Sequence, residues 1–256
     1  MKLTVEHLCF SYEKEKSVLK DITFCIEGQG VTVLLGRNGS GKSTLLDCLI
    51  GYRRGERGSI WIDGEIIGDY RDRELARKIA YIPQKISCKM NYRVYEYILL
   101  GRTPYIRLGR HPSKEDCRIV AGYMDKCGIT HLASKGILQL SGGEMQLVSM
   151  ARALVQETPF LFLDEPFSAL DLANQSLVMR LIRKIGEEKK RVLLTSHNPN
   201  HAFHLKSSVL LMKDGKILEH GRAEDIICVN KLRDIYGDHL CLARDLPYNE
   251  VSFQDK

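Results

Sequence analysis

The 256-residue sequence has no apolar stretch approaching the ~18 uninterrupted residues that a membrane-spanning helix requires. Its opening, Met1-Lys2-Leu3-Thr4-Val5-Glu6, has no apolar signal core, so the expectation is a chain that stays in the cytosol and does not itself cross a membrane. Paired cysteines are missing too. Cys9, Cys25, Cys48, Cys88, Cys117, Cys127, Cys228 and Cys241 are scattered, without a C-x-x-C pair or a histidine at zinc-finger spacing, and they read as reduced, mostly buried small hydrophobes. No repeat and no low-complexity stretch occurs, which excludes fibrous and disordered classes. Charge of one sign is scarce: 38 Lys+Arg against 32 Asp+Glu leave a net +6. The densest basic patches, Arg53-Arg54 with Arg57, Arg102 to Arg110, and Lys189-Lys190-Arg191, read as solvated faces. With no base-reading motif beside them, no nucleic-acid partner is expected.

What is present is ordinary globular composition, 44% hydrophobic and 27% charged, over a length that suits one large domain or a core with a lobe grafted on. Strand-like and helix-like segments alternate. Leu3 to Phe10 and Asp21 to Glu27 are β-rich, and Gly30-Val31-Thr32-Val33-Leu34-Leu35 is an apolar run of the kind buried on both faces of a parallel sheet. A helix from Lys42 to about Ile50 follows it directly. Gly58 to Ile67 reads as a hairpin with Asp63-Gly64 at its turn, an antiparallel piece beside the parallel core. Roughly residues 91–158 form a helical insertion, with helices over Val94 to Leu100, over Glu115 to Cys127 behind a Ser113/Asp116 capping box, and over Gly143 to Gln156. Then come the buried strand Phe160 to Leu163, a helix from about Ala173 to Glu188 and the strand Arg191 to Thr195. A last hairpin around Asp214-Gly215 leads to short helices, and residues 230–256 make a short extension. The fold class is α/β, a single domain over 1–256 with helices on a mostly parallel sheet.

Gly36-Arg37-Asn38-Gly39-Ser40-Gly41-Lys42-Ser43 satisfies G-x-x-x-x-G-K-[ST] between an apolar strand and a helix start, where the motif must lie. Its glycines let successive backbone N–H groups face phosphate oxygens, and the helix N-terminus adds partial positive charge. Lys42 would reach the β- and γ-phosphates, and Ser43 would place its hydroxyl on Mg²⁺. Such a site needs a carboxylate from a second strand. Phe160-Leu161-Phe162-Leu163-Asp164 supplies Asp164 for the metal, and Glu165 is next, placed to polarise an attacking water as a general base. Leu140-Ser141-Gly142-Gly143-Glu144 opens the helix ahead of that strand as a second anion site, with N–H groups, a hydroxyl and a helix dipole but no lysine.

With these residues in order, the chain resembles the ATP-binding subunits of ABC transporters, whose signature is LSGG-Q/E, over nearly its whole length from Leu3 to Gly221. The resemblance implies a P-loop NTPase fold, a RecA-like core with ATP and Mg²⁺ as its ligands. It implies that Tyr12 stacks on adenine, that Gly36 to Thr44 (Gly36, Arg37, Asn38, Gly39, Ser40, Gly41, Lys42, Ser43, Thr44) form the Walker A loop, and that Gln84 of Tyr81-Ile82-Pro83-Gln84 holds Mg²⁺ or the attacking water. It further makes Leu161 to Asp164 the Walker B strand, Glu165 the catalytic glutamate, Ser168-Ala169-Leu170-Asp171 the D-loop and His197 the switch histidine. Ser141, Gly142, Gly143, Glu144 and Asp171 would meet ATP held by a second copy docked head to tail. ATP would then close the homodimer and hydrolysis would loosen it.

Val94-Tyr95-Glu96-Tyr97-Ile98-Leu99-Leu100-Gly101-Arg102-Thr103-Pro104-Tyr105 resembles a stretch of importer ATPases for iron-siderophore, haem and cobalamin complexes. That points to a peripheral protein on the cytoplasmic face of the inner membrane. Permease subunits would contact about residues 85–111, and a substrate-binding protein would act outside. Leu147 stands where many relatives carry Arg, Phe167 replaces the usual Thr, Asn198 takes the place of Asp after the histidine, and Lys206-Ser207-Ser208 lacks a usual Asp. The alternatives are a soluble ABC ATPase such as an iron-sulfur assembly component, against which Gly101 to Tyr105 speaks, and a small-molecule kinase, against which the signature speaks.

Overall fold

The computed structural model describes residues 1–13, 16–86, 88–168, 170–188, 190–237, 240–242 and 251–253. Ala169 of the expected D-loop and Lys189 of the third basic patch lie outside these. The chain forms two compact units, Met1–Asp69 with Leu193–Lys256, and Tyr70–Val192.

The first unit begins with β1 (Lys2–Ser11) and β2 (Ser17–Glu27), then β3 (Gly30–Leu35), α1 (Lys42–Leu49), β4 (Arg57–Ile62) and β5 (Glu65–Ile66). Strands in the order β2-β1-β4-β5 make an antiparallel sheet. On β1 the buried residues are Leu3, Val5, Leu8 and Phe10, a spacing that slips by one residue in the middle. The slip is a bulge: His7 and Asp21 take φ of 51° and 57° on facing strands, and His7 Nδ1 and Asp21 Oδ1 lie 2.7 Å apart. The extra residue returns Leu8 and Phe10 to the face already set by Leu3 and Val5.

The second unit holds α2 (Asp72–Leu75), β6 (Ile79–Ile82), α3 (Val94–Leu99), α4 (Lys114–Lys126), α5 (Gly142–Leu154), β7 (Phe160–Leu163) and α6 (Leu172–Glu187). β6 and β7 pair in parallel, Ile79 opposite Phe160 through Ile82 opposite Leu163. α3, α4 and α5 pack on one another. As the sequence suggests, Ser113 caps α4 in a box with Asp116. In the basic patch Arg102 to Arg110, Arg107 and Arg110 are exposed as expected of a solvated face, but Arg102 is not. Arg102 is 6% exposed, and its guanidinium donates to Asp116, to the Val155 carbonyl and to Glu157 at 2.8 to 2.9 Å. It also lies 4.2 Å from the Tyr105 ring centroid. A buried cation is retained only where partners replace its water, and here three do. Gly101 makes this approach possible, because a Cβ there would fall 2.2 Å from the Arg152 carbonyl oxygen.

The division between the units falls within β8 (Arg191–Ser196). The first unit resumes with α7 (Asn200–His204), β9 (Ser208–Lys213), β10 (Lys216–Arg222), α8 (Ala223–Ile226) and α9 (Val229–Tyr236), and a short antiparallel pair, β11 (Leu240–Leu242) and β12 (Val251–Phe253), follows. β3 pairs in parallel with β9, and β9 turns back antiparallel into β10 around Asp214-Gly215. The β11–β12 pair is unexpected, since the sequence points only to short helices there. No helix among the described residues is long and apolar enough to cross a membrane.

The cysteine expectation needs correction. All seven cysteines with described side chains are free thiols, but only Cys48 and Cys127 are buried, with burial pushing both thiols up to about 12. Cys9 and Cys25 sit half-exposed on strands of the four-stranded sheet, Cys117 is half-exposed on α4, and Cys228 is exposed. Alternation along a strand gives every second residue to solvent, whatever its type.

Candidate functional site

In the first unit the phosphate-type turn lies between β3, whose residues Val31 to Leu35 are buried, and the start of α1 at Lys42. Gly41 supplies the N-cap with φ of 106°, a conformation that a side chain would oppose. Lys42 is 5% exposed, and its Nζ donates to the carbonyls of Gly36 and Arg37 at 2.9 and 3.0 Å. Ser40 Oγ is buried without a hydrogen-bond partner. A buried cation and an orphaned hydroxyl just ahead of a helix N-terminus fit an anionic ligand. Ser43, beside Lys42, offers a hydroxyl of the hard-oxygen type that Mg²⁺ takes.

Tyr12 lies beside this turn. Its hydroxyl is 3.1 Å from Thr44 Oγ1, its ring meets Phe10 edge-on at a centroid distance of 5.0 Å, and the Arg53 guanidinium carbon stands 4.5 Å from its centroid. Even so, Tyr12 is 54% exposed.

His197 follows β8, and the loop after it is held by Ser196. Ser196 Oγ accepts from the Asn198 N–H at 3.0 Å and lies 2.9 Å from His201 Nδ1. Asn198 Oδ1 accepts from the Asn200 N–H at 3.0 Å, so the substitution of Asn for Asp keeps an acceptor for that turn. Burial, and then the neighbouring His197 and His204, push His201 down to about 4.

In the second unit β7 delivers Asp164, 5% exposed, and Glu165. Glu165 turns out of the strand with φ of 44°, a strained conformation for a side chain with a Cβ. Its carboxylate accepts from the Gln84 amide at 3.2 Å. Two of the sequence-predicted residues are thereby brought together, one from the end of each paired strand.

At α5, Ser141 Oγ accepts from the Glu144 N–H at 3.2 Å, and the Glu144 carboxylate accepts from the Ser141 N–H at 2.7 Å and from Lys135 Nζ at 3.1 Å. These contacts, the Ser141 backbone first and Lys135 next, hold the Glu144 carboxyl below its ordinary value. Asp171 caps α6, with its two oxygens accepting from the Asn174 N–H and side-chain amide at 2.8 and 3.0 Å. The same Asn174 abuts Gly143, where a Cβ would lie 2.6 Å from Asn174 Cγ. Asn174 thus links two motifs that lie far apart in sequence, and no local pattern marks it. Arg53, Ser196, His201 and Lys135 also escape sequence reading, because each acts through a partner chosen by the fold. Of the departures, Leu147 and Phe167 are buried core residues.

Also in the second unit, a groove of about 670 Å³ is lined by residues that include Tyr81, Pro83, Ile86, Tyr97, Leu100 and Arg152. Arg152 Nη1 donates to the Tyr97 hydroxyl at 2.9 Å.

Comparison with known proteins gives the family. The family model described as ABC transporter matches residues 19–168. The chain is 34% identical to the ferric enterobactin transport ATP-binding protein FepC of Escherichia coli K12, over 92% of this chain and 87% of that protein. It is 32% identical to the molybdate import ATP-binding protein MolC of Haemophilus influenzae, over 91% and 87%. Among solved structures, a metal-chelate type ABC transporter in an inward-facing conformation matches with a TM-score of 0.83 at 29% identity, covering 99% of this chain and 97% of that one.

Proposed function

The chain belongs to the ABC transporter family as an ATP-binding, ATP-hydrolysing subunit, and from that premise we propose that two copies power a membrane importer for an iron-siderophore, haem or cobalamin complex. The observation that carries the motor reading is the turn around Lys42, where a buried cation and the unpartnered Ser40 hydroxyl suit a triphosphate. Lys42 and the backbone of residues 36–44 bind the phosphates, and Tyr12 stacks on adenine. Ser43, Asp164 and Gln84 are the residues that would hold Mg²⁺, which would supply positive charge to the phosphates. Glu165, oriented by Gln84, accepts a proton from the attacking water, and His197 donates to the γ-phosphate. Ser141 to Glu144 and Asp171 address the nucleotide held by the second copy. The permease on the cytoplasmic face of the inner membrane contacts about residues 85–111, which supply Tyr97 and Leu100 to the groove that Arg152 also lines; Ser87 of that region lies outside the described residues. Similarity to FepC and to a metal-chelate transporter is what supports this cargo class.

The test is light scattering of Glu165→Gln with and without Mg-ATP. Removing the base while keeping the binding groups should trap a dimer, and Ser141→Arg in the same background should abolish it. Bound ATP on a persisting monomer overturns the shared-site mechanism, and absent ATP binding overturns the nucleotide reading. Cells lacking the chain should lose uptake of one labelled complex of the three; unchanged uptake of all three overturns the cargo assignment.

A further inference from the structure

Tyr12 is held from three directions within the first unit. Its hydroxyl is anchored on Thr44, the residue after the Mg²⁺-type serine; Phe10 meets it at an interplanar angle of 88°; and Arg53 covers a ring face at 4.5 Å. Arg53 is itself tethered, with its Nε donating to Asp47 Oδ2 at 3.1 Å. Asp47 lies on α1, three residues beyond Thr44 and so on the same side of the helix. The ring and its cation are therefore both fixed to the helix that opens at the phosphate turn. A guanidinium packs flat on an aromatic face and still forms directional hydrogen bonds, which an ammonium does less well. With Arg53 over the ring and Tyr12 still 54% exposed, the side chain keeps surface open to a ligand.

We propose that Arg53 is a positioning residue for the nucleobase: it braces Tyr12 from behind, so that cation, phenol ring and purine form a three-layer stack referenced to α1 through Asp47. The inference rests on the reading of Tyr12 as the adenine-stacking residue. Its chemistry is preorganisation. A tyrosine already immobilised by Thr44, Phe10 and Arg53 loses little freedom when the base arrives, and that saving appears as affinity. Because the Arg53 charge is matched by Asp47, the brace acts on the base more than on the phosphates.

The experiment is calorimetric titration of the full chain with Mg-ATP and, separately, with Mg²⁺ and inorganic tripolyphosphate, which carries the phosphates but no base. Arg53→Met should weaken ATP about three- to tenfold and leave tripolyphosphate within about twofold, which also certifies the fold of the variant. Arg53→Lys should recover part of the loss. In a Tyr12→Ala background Arg53→Met should have no further effect, because the two residues act as one unit. Equal weakening of both ligands overturns the proposal in favour of a phosphate or folding role, and tighter ATP binding overturns it by showing that Arg53 competes with the base. If Tyr12→Ala weakens ATP while Arg53→Met does not, the stacking role of Tyr12 survives and the brace falls. If Tyr12→Ala leaves ATP unchanged relative to tripolyphosphate, the stacking reading falls first and takes the brace with it.

Discussion

Acid should destabilise the protein through buried His201 before the carboxylates respond. His201 is packed against Ser196 at the end of the His197 loop, and burial, with His197 and His204 adding to it, takes its value from 6.5 to about 4. A group whose folded value is depressed contributes stability that is fully present above the unfolded value and is lost as pH falls toward the folded one. The window is therefore about pH 6.5 to 4. The whole gap corresponds to about 3 kcal/mol, and by pH 5 about 2 kcal/mol of it is already gone. For a chain of this size that lowers Tm by roughly 4 to 8 °C.

The assay is urea unfolding at several pH values from 7.5 to 5, on the native chain and on His201→Asn, whose amide keeps a hydrogen-bonding group toward Ser196 without a titratable one. The native chain should lose about 2 kcal/mol more than the variant across that range. His220, lowered by burial, responds in the same direction but is common to both chains and cancels in the difference. Asp116, Glu144 and Glu27 have carboxyls held below their ordinary values, so their losses come at lower pH. Identical pH slopes in the two chains would refute the reasoning.

Two further outcomes follow from the packing. Arg102→Met should cost about 3 to 5 kcal/mol in denaturant unfolding, because it strands the buried Asp116 carboxylate and the Val155 carbonyl; a loss under 1 kcal/mol would show that these groups find other partners. Ser141→Asp should leave thermal stability within about 1 kcal/mol of the parent, since aspartate caps helices as well as serine, yet it should abolish the Mg-ATP-dependent dimer of Glu165→Gln by setting a second carboxylate beside Glu144. A dimer that persists would remove Ser141 from the nucleotide contact.

How far sequence leads depends on how local each device is. The phosphate turn and the Ser113/Asp116 box are written within a few consecutive residues, and both form where expected. Strand β6 and helix α2 are four residues each, too short for periodicity to separate them from loop. The bulge at His7 and Asp21 leaves no trace in composition, although it decides which face of β1 is apolar. Arg102 shows the limit most clearly. Its neighbours in sequence mark it as part of a basic, solvated patch, whereas its partners, 14 to 55 residues away, make it a buried clamp. The stretch Gly101 to Tyr105 therefore owes its residues first to packing: Gly101 to its approach to Arg152, Arg102 to the clamp, and Tyr105 to a hydroxyl that donates to the Gln156 carbonyl at 2.8 Å.

The same economy separates the two serine caps. Ser113 with Asp116 and Ser141 with Glu144 are one motif chemically, a hydroxyl and a carboxylate exchanging bonds across the first turn of a helix. At α4 the carboxylate is buried and committed to Arg102, so no charge remains for a ligand. At α5 Ser141 and Gly142 are exposed, and Glu144 is balanced by Lys135 at the surface. With that carboxylate neutralised, the dipole and N–H groups of α5 still attract an anion, and the bonds an anion would replace are worth only about 1 kcal/mol each in water. A contact that weak on each side would suit the proposed grip on a nucleotide across an interface, which has to be released. The sequence signature of the proposed ligand site at α5 and that of the plain helix cap at α4 are therefore the same, and only what surrounds the carboxylate tells them apart.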